Sequence, residues 1–171
     1  SAPTKCPPGT YEDEMGQQTC KVCPSGFFCL ENTTYPEVCP GGYYCPDGTT
    51  YGEEFSCPVG TYTPTYTTQI QLSTVDNCTA CAPGYYCDTE GEAVPAGPCD
   101  AGFYCGGGSA VANPNAEGAS NYALDESGET CVVTTGFTLN DVCPPGHYCP
   151  QGSDAPVPCP PGINSSALGL Q

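Results

Sequence analysis

The sequence predicts a small disulfide-rich fold, an elongated tandem array of short β-hairpin and turn modules with little helix. Three observations carry this expectation. Of 171 residues, 16 are Cys, 22 Gly and 20 Pro. Leu, Ile, Val and Phe together number 23, about 13% of the chain, below the roughly 20% under which a highly charged chain cannot build a conventional core. A Cys-x-x-Gly motif also recurs in a series of eight, setting aside the copies that open at Cys45, Cys105 and Cys149, so the cross-links come at intervals and can replace the missing burial.

The motifs begin at Cys6, Cys23, Cys39, Cys57, Cys81, Cys99, Cys143 and Cys159 and place their glycines at Gly9, Gly26, Gly42, Gly60, Gly84, Gly102, Gly146 and Gly162. Pro follows the Cys in six of the eight. Pro fixes φ and Gly accepts φ > 0, so each motif predicts a tight turn feeding a short extended segment. Two residues after the Gly stands an aromatic in seven copies, namely Tyr11, Phe28, Tyr44, Tyr62, Tyr86, Tyr104 and Tyr148, with Asn164 the exception. In five copies a second Cys follows at once, at Cys29, Cys45, Cys87, Cys105 and Cys149. Successive side chains of an extended segment point to opposite faces, which leaves the ring free to pack on the disulfide of a neighbouring module.

A longer period encloses this one. The order Cys6, Cys20, Cys23, Cys29, Cys39, Cys45 returns as Cys57, Cys78, Cys81, Cys87, Cys99, Cys105, and Cys143, Cys149 and Cys159 repeat the spacing of Cys23, Cys29 and Cys39. The organisation expected is a cysteine-rich unit over 1–56, a second over 57–110, a loop or linker over 111–130 and a partial third unit over 131–171. Two stretches depart from the rhythm. Tyr66, Thr68, Ile70 and Leu72 alternate with polar residues and predict a longer strand, either the arm of a hairpin or an edge open to another subunit. The segment between Cys105 and Cys131 opens on Gly106, Gly107 and Gly108 and suggests a flexible linker or a partner-binding loop; beyond it Val132, Val133, Phe137 and Leu139 suggest a small hairpin around Gly136.

Charge narrows the partners. Lys5 and Lys21 are the only basic residues against 19 acidic ones, a formal charge of -17, which excludes nucleic acid and direct binding to anionic membrane. So many thiols point to an oxidising, extracellular compartment. Three glycosylation acceptors, Asn32, Asn77 and Asn164, agree with secretion, and no apolar run approaches the length of a spanning helix. The chain opens at Ser1 without an initiator Met or a signal sequence and reads as a mature secreted chain or as the ordered part of a longer one.

The CPPGTY segment at Cys6 and the CPVGTY segment at Cys57, each followed by Cys-x-x-Cys and by Cys-x5-Cys, resemble the ephrin-receptor-like cysteine-rich repeats of the growth-factor-receptor and EGF-like superfamily over roughly residues 6–105 and 143–162. That resemblance implies an EGF-like or tumour-necrosis-factor-receptor-like module. In composition the chain is also similar to protist surface-coat and flagellar-hair (mastigoneme) proteins. Sixteen cysteines allow roughly two million pairings. The receptor-like pattern implies Cys6–Cys20, Cys23–Cys39, Cys29–Cys45, Cys57–Cys78, Cys81–Cys99, Cys87–Cys105, Cys131–Cys149 and Cys143–Cys159. A competing scheme joins each second Cys to the next motif Cys, as in Cys29–Cys39; a Cys23–Cys29 link fits neither.

Chemistry has few candidates. His147, the only His, fills the slot held by Phe27, Tyr43, Tyr85 and Phe103 elsewhere and reads as one flat ring replacing another. Glu12, Asp13, Glu14, Asp125 and Glu126 are solvated carboxylates whose alternative role is weak Ca²⁺ binding; Glu53 and Glu54 form a further acidic pair. No catalytic residue and no cofactor beyond Ca²⁺ is expected. The function expected is that of a non-enzymatic secreted glycoprotein, the repeating subunit of a filament, flagellar hair, surface coat or matrix fibre that self-associates into a homopolymer. The alternative is a ligand-binding ectodomain of a cell-surface receptor.

Overall fold

The computed structural model describes residues 5–14, 19–64, 72–115, 122–124, 131–133 and 140–160. Asn164, Asp125, Glu126, Gly136, Phe137, Leu139 and the alternating run from Tyr66 to Gln71 lie outside them. Within the described residues helix is confined to one 3-10 turn, Val75–Asn77. Everything else regular is a two-stranded ribbon.

Each ribbon starts from the motif turn. In the first, Thr10 N–H donates to the Pro7 carbonyl and Gly9 sits at φ 79°, a type II turn with Gly where φ must be positive. The turn returns the chain into β1 (Thr10–Tyr11), which pairs with β2 (Lys21–Val22) just before the next motif Cys. In the same way β3 (Phe27–Phe28) pairs with β4 (Glu37–Val38) and β5 (Thr61–Tyr62) with β6 (Thr79–Ala80). Next, β7 (Tyr85–Tyr86) pairs with β8 (Gly97–Pro98). One ribbon is interrupted. β9 (Phe103–Cys105) finds its partner only at β12 (Asn140–Val142), and β10 (Tyr122–Leu124) with β11 (Cys131–Val133) form a ribbon inserted between them. β13 (His147–Tyr148) with β14 (Val157–Pro158) restores the simple form.

Of the segment between Cys105 and Cys131, residues 106–115 and 122–124 are described. Ser109 is buried, Gly108 N–H donates to the Cys81 carbonyl, and the strand β10 follows. Val132 and Val133 do lie in a ribbon, but their partners are Ala123 and Tyr122 upstream.

The disulfides overturn most of the expected pairing. Cys6–Cys20 and Cys57–Cys78 form as the register implies. The others are Cys23–Cys29, Cys39–Cys45, Cys81–Cys87, Cys99–Cys105 and Cys143–Cys149, in place of Cys23–Cys39, Cys29–Cys45, Cys81–Cys99, Cys87–Cys105, Cys131–Cys149 and Cys143–Cys159. The competing Cys29–Cys39 scheme fails with them. The reason is the turn. Six residues of extended chain would hold two Cα atoms about 20 Å apart, whereas the type II turn brings Cys23 and Cys29 to 5.8 Å, well inside bridging range. Where the sixth position is not Cys, as at Glu12 and Thr63, the motif Cys bonds instead to the Cys just before the next module. Cys159 carries no disulfide.

The core follows from this. Among the described residues, twelve of the fourteen buried hydrophobic ones are Cys, with Leu72 and Tyr104 the others. Two of the motif rings pack against the cysteines of the next module: Phe28 lies with Cys39, Cys45 and Leu72, and Tyr104 with Cys143 and Cys149. Two compact units result, one of residues 1–79 with 90–94, the other of 80–89 with 95–171.

Candidate functional site

The feature that repeats with the least variation is the junction between consecutive modules, and it is built from backbone. A motif Gly donates its N–H to the carbonyl of the second Cys of the next module: Gly9 to Cys29 at 2.8 Å, Gly26 to Cys45 at 2.7 Å, Gly84 to Cys105 at 2.7 Å and Gly102 to Cys149 at 2.8 Å. Where Thr63 replaces that Cys, its carbonyl and its Oγ1 both accept from Gly42 N–H at 2.8 Å. A second bond runs the other way. The motif Cys carbonyl accepts from a turn residue of the next module, Cys6 from Asn32, Cys23 from Gly48, Cys57 from Gly91, Cys81 from Gly108 and Cys99 from Gly152. A third joins the second Cys position to the residue just beyond that turn, as Cys29 N–H does to the Thr49 carbonyl and Cys105 N–H to that of Ser153.

These donors sit on turns that need φ > 0. Asn32 holds φ 61°, Gly48 80°, Gly91 76° and Gly152 78°, and Asn is the non-glycine residue that tolerates that region best. Approach is closest between glycines. A Cβ built on Gly84 would stand 2.5 Å from the Gly152 carbonyl oxygen, and Cβ atoms on Gly9 and Gly42 would run into the carbonyls of Gly48 and Gly91. Each of these contacts reaches two modules along the chain. Sequence reasoning identified the motif glycines as turn formers and missed this second role, which only the periodic Gly or Asn after each second Cys position could have signalled.

Of the candidate cation ligands, Glu12, Asp13 and Glu14 lie within the described residues. Asp13 is paired with Lys21 at 2.6 Å on the surface; this hydrogen bond holds its carboxyl below, and the lysine above, the ordinary value. Glu12 instead turns Oε1 inward, where no hydrogen-bond partner meets it. Among the described residues no group of three His, Cys, Asp or Glu could hold a metal ion. Glu54 caps its own loop: Thr50 N–H and Oγ1 both donate to its Oε2 at 2.8 Å, and these bonds hold its carboxyl below the usual range. His147 pairs across the ribbon with Pro158 as Phe27 does with Val38, its Nδ1 3.2 Å from the Pro145 carbonyl.

The two described glycosylation acceptors differ. Asn32 is exposed at the tip of its turn with Thr34 exposed beside it. Asn77 is half-buried, its Oδ1 accepts from the N–H groups of Ser73 and Thr74 at 2.9 Å, and the next residue is locked in Cys57–Cys78. Glycopeptide mass spectrometry of the protein expressed through a secretory pathway is therefore expected to find glycan on Asn32 and none on Asn77; the reverse pattern would refute this assignment.

No protein-family model and no curated protein matches the chain. No helix among the described residues is long and apolar enough to cross a membrane. Seven disulfides are consistent with an extracellular protein.

Proposed function

We propose that this chain is a non-enzymatic, secreted structural glycoprotein, a repeating subunit that self-associates into an extracellular filament, hair, coat or fibre. The observation that carries the reading is the junction itself. It is made of main-chain donors and acceptors that recur from module to module among the described residues, so the same contact can be propagated without a dedicated binding surface, as in other one-dimensional arrays. Chemistry of the side chains agrees. Fourteen of the cysteines are tied in disulfides and cannot act as nucleophiles, and His147 is part of a ribbon. The scarcity of Lys and the absence of Arg remove almost every site for trypsin-like proteases, which suits a long-lived exposed polymer.

Stacking bodies of charge -17 is repulsive within a Debye length of about 8 Å at physiological salt, so Ca²⁺ or glycans screen the contact in this reading. The resemblance to ephrin-receptor-like repeats belongs here as a proposal about ancestry, with a disulfide pattern that departs from the receptor-like one. Electron microscopy and sedimentation of native material are expected to show a regular fibre that loosens on chelation of divalent cations. A strictly monomeric protein that binds a soluble ligand tightly would replace this reading with that of a receptor ectodomain.

A further inference from the structure

The seven bridges among the described residues fall into two kinds. Ten cysteines form the five Cys-x5-Cys bridges, and each of the ten is 2% exposed or less, out of reach of a thiolate arriving from solvent. Cys6–Cys20 and Cys57–Cys78 are built differently. Cys6 and Cys57 are buried but Cys20 and Cys78 only half-buried, so each of these two bridges turns one cysteine toward solvent and keeps the other inside. We infer that both are thiol–disulfide exchange sites, which take a small thiol or a dithiol reductant at Cys20 and Cys78 while the other five bridges stay closed. Exposed bridges are in general the labile ones.

The step is an ordinary exchange. The incoming thiolate bonds to the sulfur of Cys78, the Cys57–Cys78 bond breaks, and its electron pair leaves on Cys57, which takes up a proton from water; a second thiolate then attacks the mixed disulfide, departs with the first as their own disulfide and leaves Cys78 reduced. Thr63 favours this direction. Its Oγ1 lies 3.9 Å from Cys57 Sγ and accepts from Gly42 N–H, so its own hydrogen is left to donate to the departing thiolate. Loop closure argues the same way. In the Cys-x5-Cys bridges the turn holds the two Cα atoms 5.8–6.4 Å apart, and bonds such as Phe27 N–H to the Pro24 carbonyl and Tyr85 N–H to the Ala82 carbonyl bring the two thiols back together. Cys6–Cys20 and Cys57–Cys78 close over 14 and 21 residues, which lowers the effective concentration of their thiols about 4-fold and about 7-fold against a six-residue loop. Both stand at the head of a six-cysteine order, where Glu12 and Thr63 take the second Cys position. Opening either leaves the neighbouring modules stapled, and the carbonyls of Cys6 and Cys57 still accept from Asn32 and Gly91.

The test is timed exchange of the oxidised chain, without denaturant, against cysteamine, a thiol whose positive charge is not repelled by a body of charge -17. Thiols free at the start are blocked with one alkylating reagent; those released later are trapped with a second of different mass and located by peptide mass spectrometry. Thiols are expected at Cys57 and Cys6, with cysteamine on Cys78 and Cys20, at least about tenfold faster than at any Cys-x5-Cys cysteine. Amide protection at Cys39 and Cys99, whose N–H groups bond to the Gly26 and Gly84 carbonyls, is expected to stay unchanged meanwhile. Exchange of the short bridges at an equal or higher rate, cysteamine on Cys57 or Cys6, or no exchange at either site would overturn the inference. Loss of amide protection in step with opening would overturn it too, because the bridges would then yield only to general unfolding. None of these outcomes bears on whether the chain polymerises, so the exchange sites stand or fall apart from the subunit reading.

Discussion

Replacing Gly84 by alanine is expected to uncouple the fifth module from its neighbours and to cost the structure about 3 kcal/mol or more. A left-handed backbone costs an ordinary residue roughly 1–2 kcal/mol, and the new methyl would stand 2.5 Å from the Gly152 carbonyl oxygen and 3.3 Å from its carbon. Neither atom belongs to a side chain that can rotate away. Separation strains the bonds from Gly84 N–H to the Cys105 carbonyl and from Gly152 N–H to the Cys99 carbonyl, each worth about 1 kcal/mol net. Hydrogen exchange reads the result directly: protection at the amides of Gly84, Cys105 and Gly152 is expected to fall about 100-fold, the equivalent of that free energy. Gly146→Ala, with no described atom within 4 Å of the added Cβ, carries the backbone term alone and is expected to lower protection at Cys159 N–H, which bonds to the Gly146 carbonyl, by about 5- to 30-fold. Equal losses in the two variants would show that the close approach contributes nothing.

Reduction without denaturant is expected to unfold both units. In the chain-entropy account a six-residue loop contributes about 2 kcal/mol and the longer Cys6–Cys20 and Cys57–Cys78 loops about 3 each. Seven together come to more than about 15 kcal/mol, at or beyond the whole stability of an ordinary domain. Little remains underneath, since among the described residues Leu72 and Tyr104 are the only buried hydrophobic ones that are not Cys. Circular dichroism and amide exchange after treatment with a phosphine should therefore resemble those of an unfolded chain; a reduced protein that kept its ribbons would show that the backbone ladder holds them unaided. A nonreduced digest checks the pairing independently. Five of the bridges close within a single Cys-x5-Cys peptide and link no second segment, whereas the receptor-like pattern would join distant peptides at every one of them.

The turn positions, the ribbons that follow them and the packing of ring on sulfur were legible in the sequence, because each depends on residues within one or two motifs. Pro7, Gly9 and Tyr11 are enough to specify a turn and a strand wherever they recur. The expected disulfides failed because the pairing came from the receptor-like pattern, whereas the same Pro-x-Gly signal that places the turn also folds Cys23 back onto Cys29. Pairing of β9 with β12 lay further out of reach, since the strand that completes the sixth module stands some 35 residues from its partner with a ribbon between. The candidate site was hidden for a different reason. Its donors and acceptors are main-chain atoms, which every residue but proline offers alike, and only their spacing distinguishes Gly48 or Gly152 from any other glycine.

A ladder made of main-chain bonds carries no address. Module three offers to module four what it offers to module six, so a released chain has many near-equivalent ways to stack, differing by whole repeats. What breaks the tie is the order in which modules appear and the uneven loops closed by Cys6–Cys20 and Cys57–Cys78. Correct registration thus depends on each module being oxidised and docked before the next emerges, and refolding from the fully reduced state should yield shifted isomers alongside the native one.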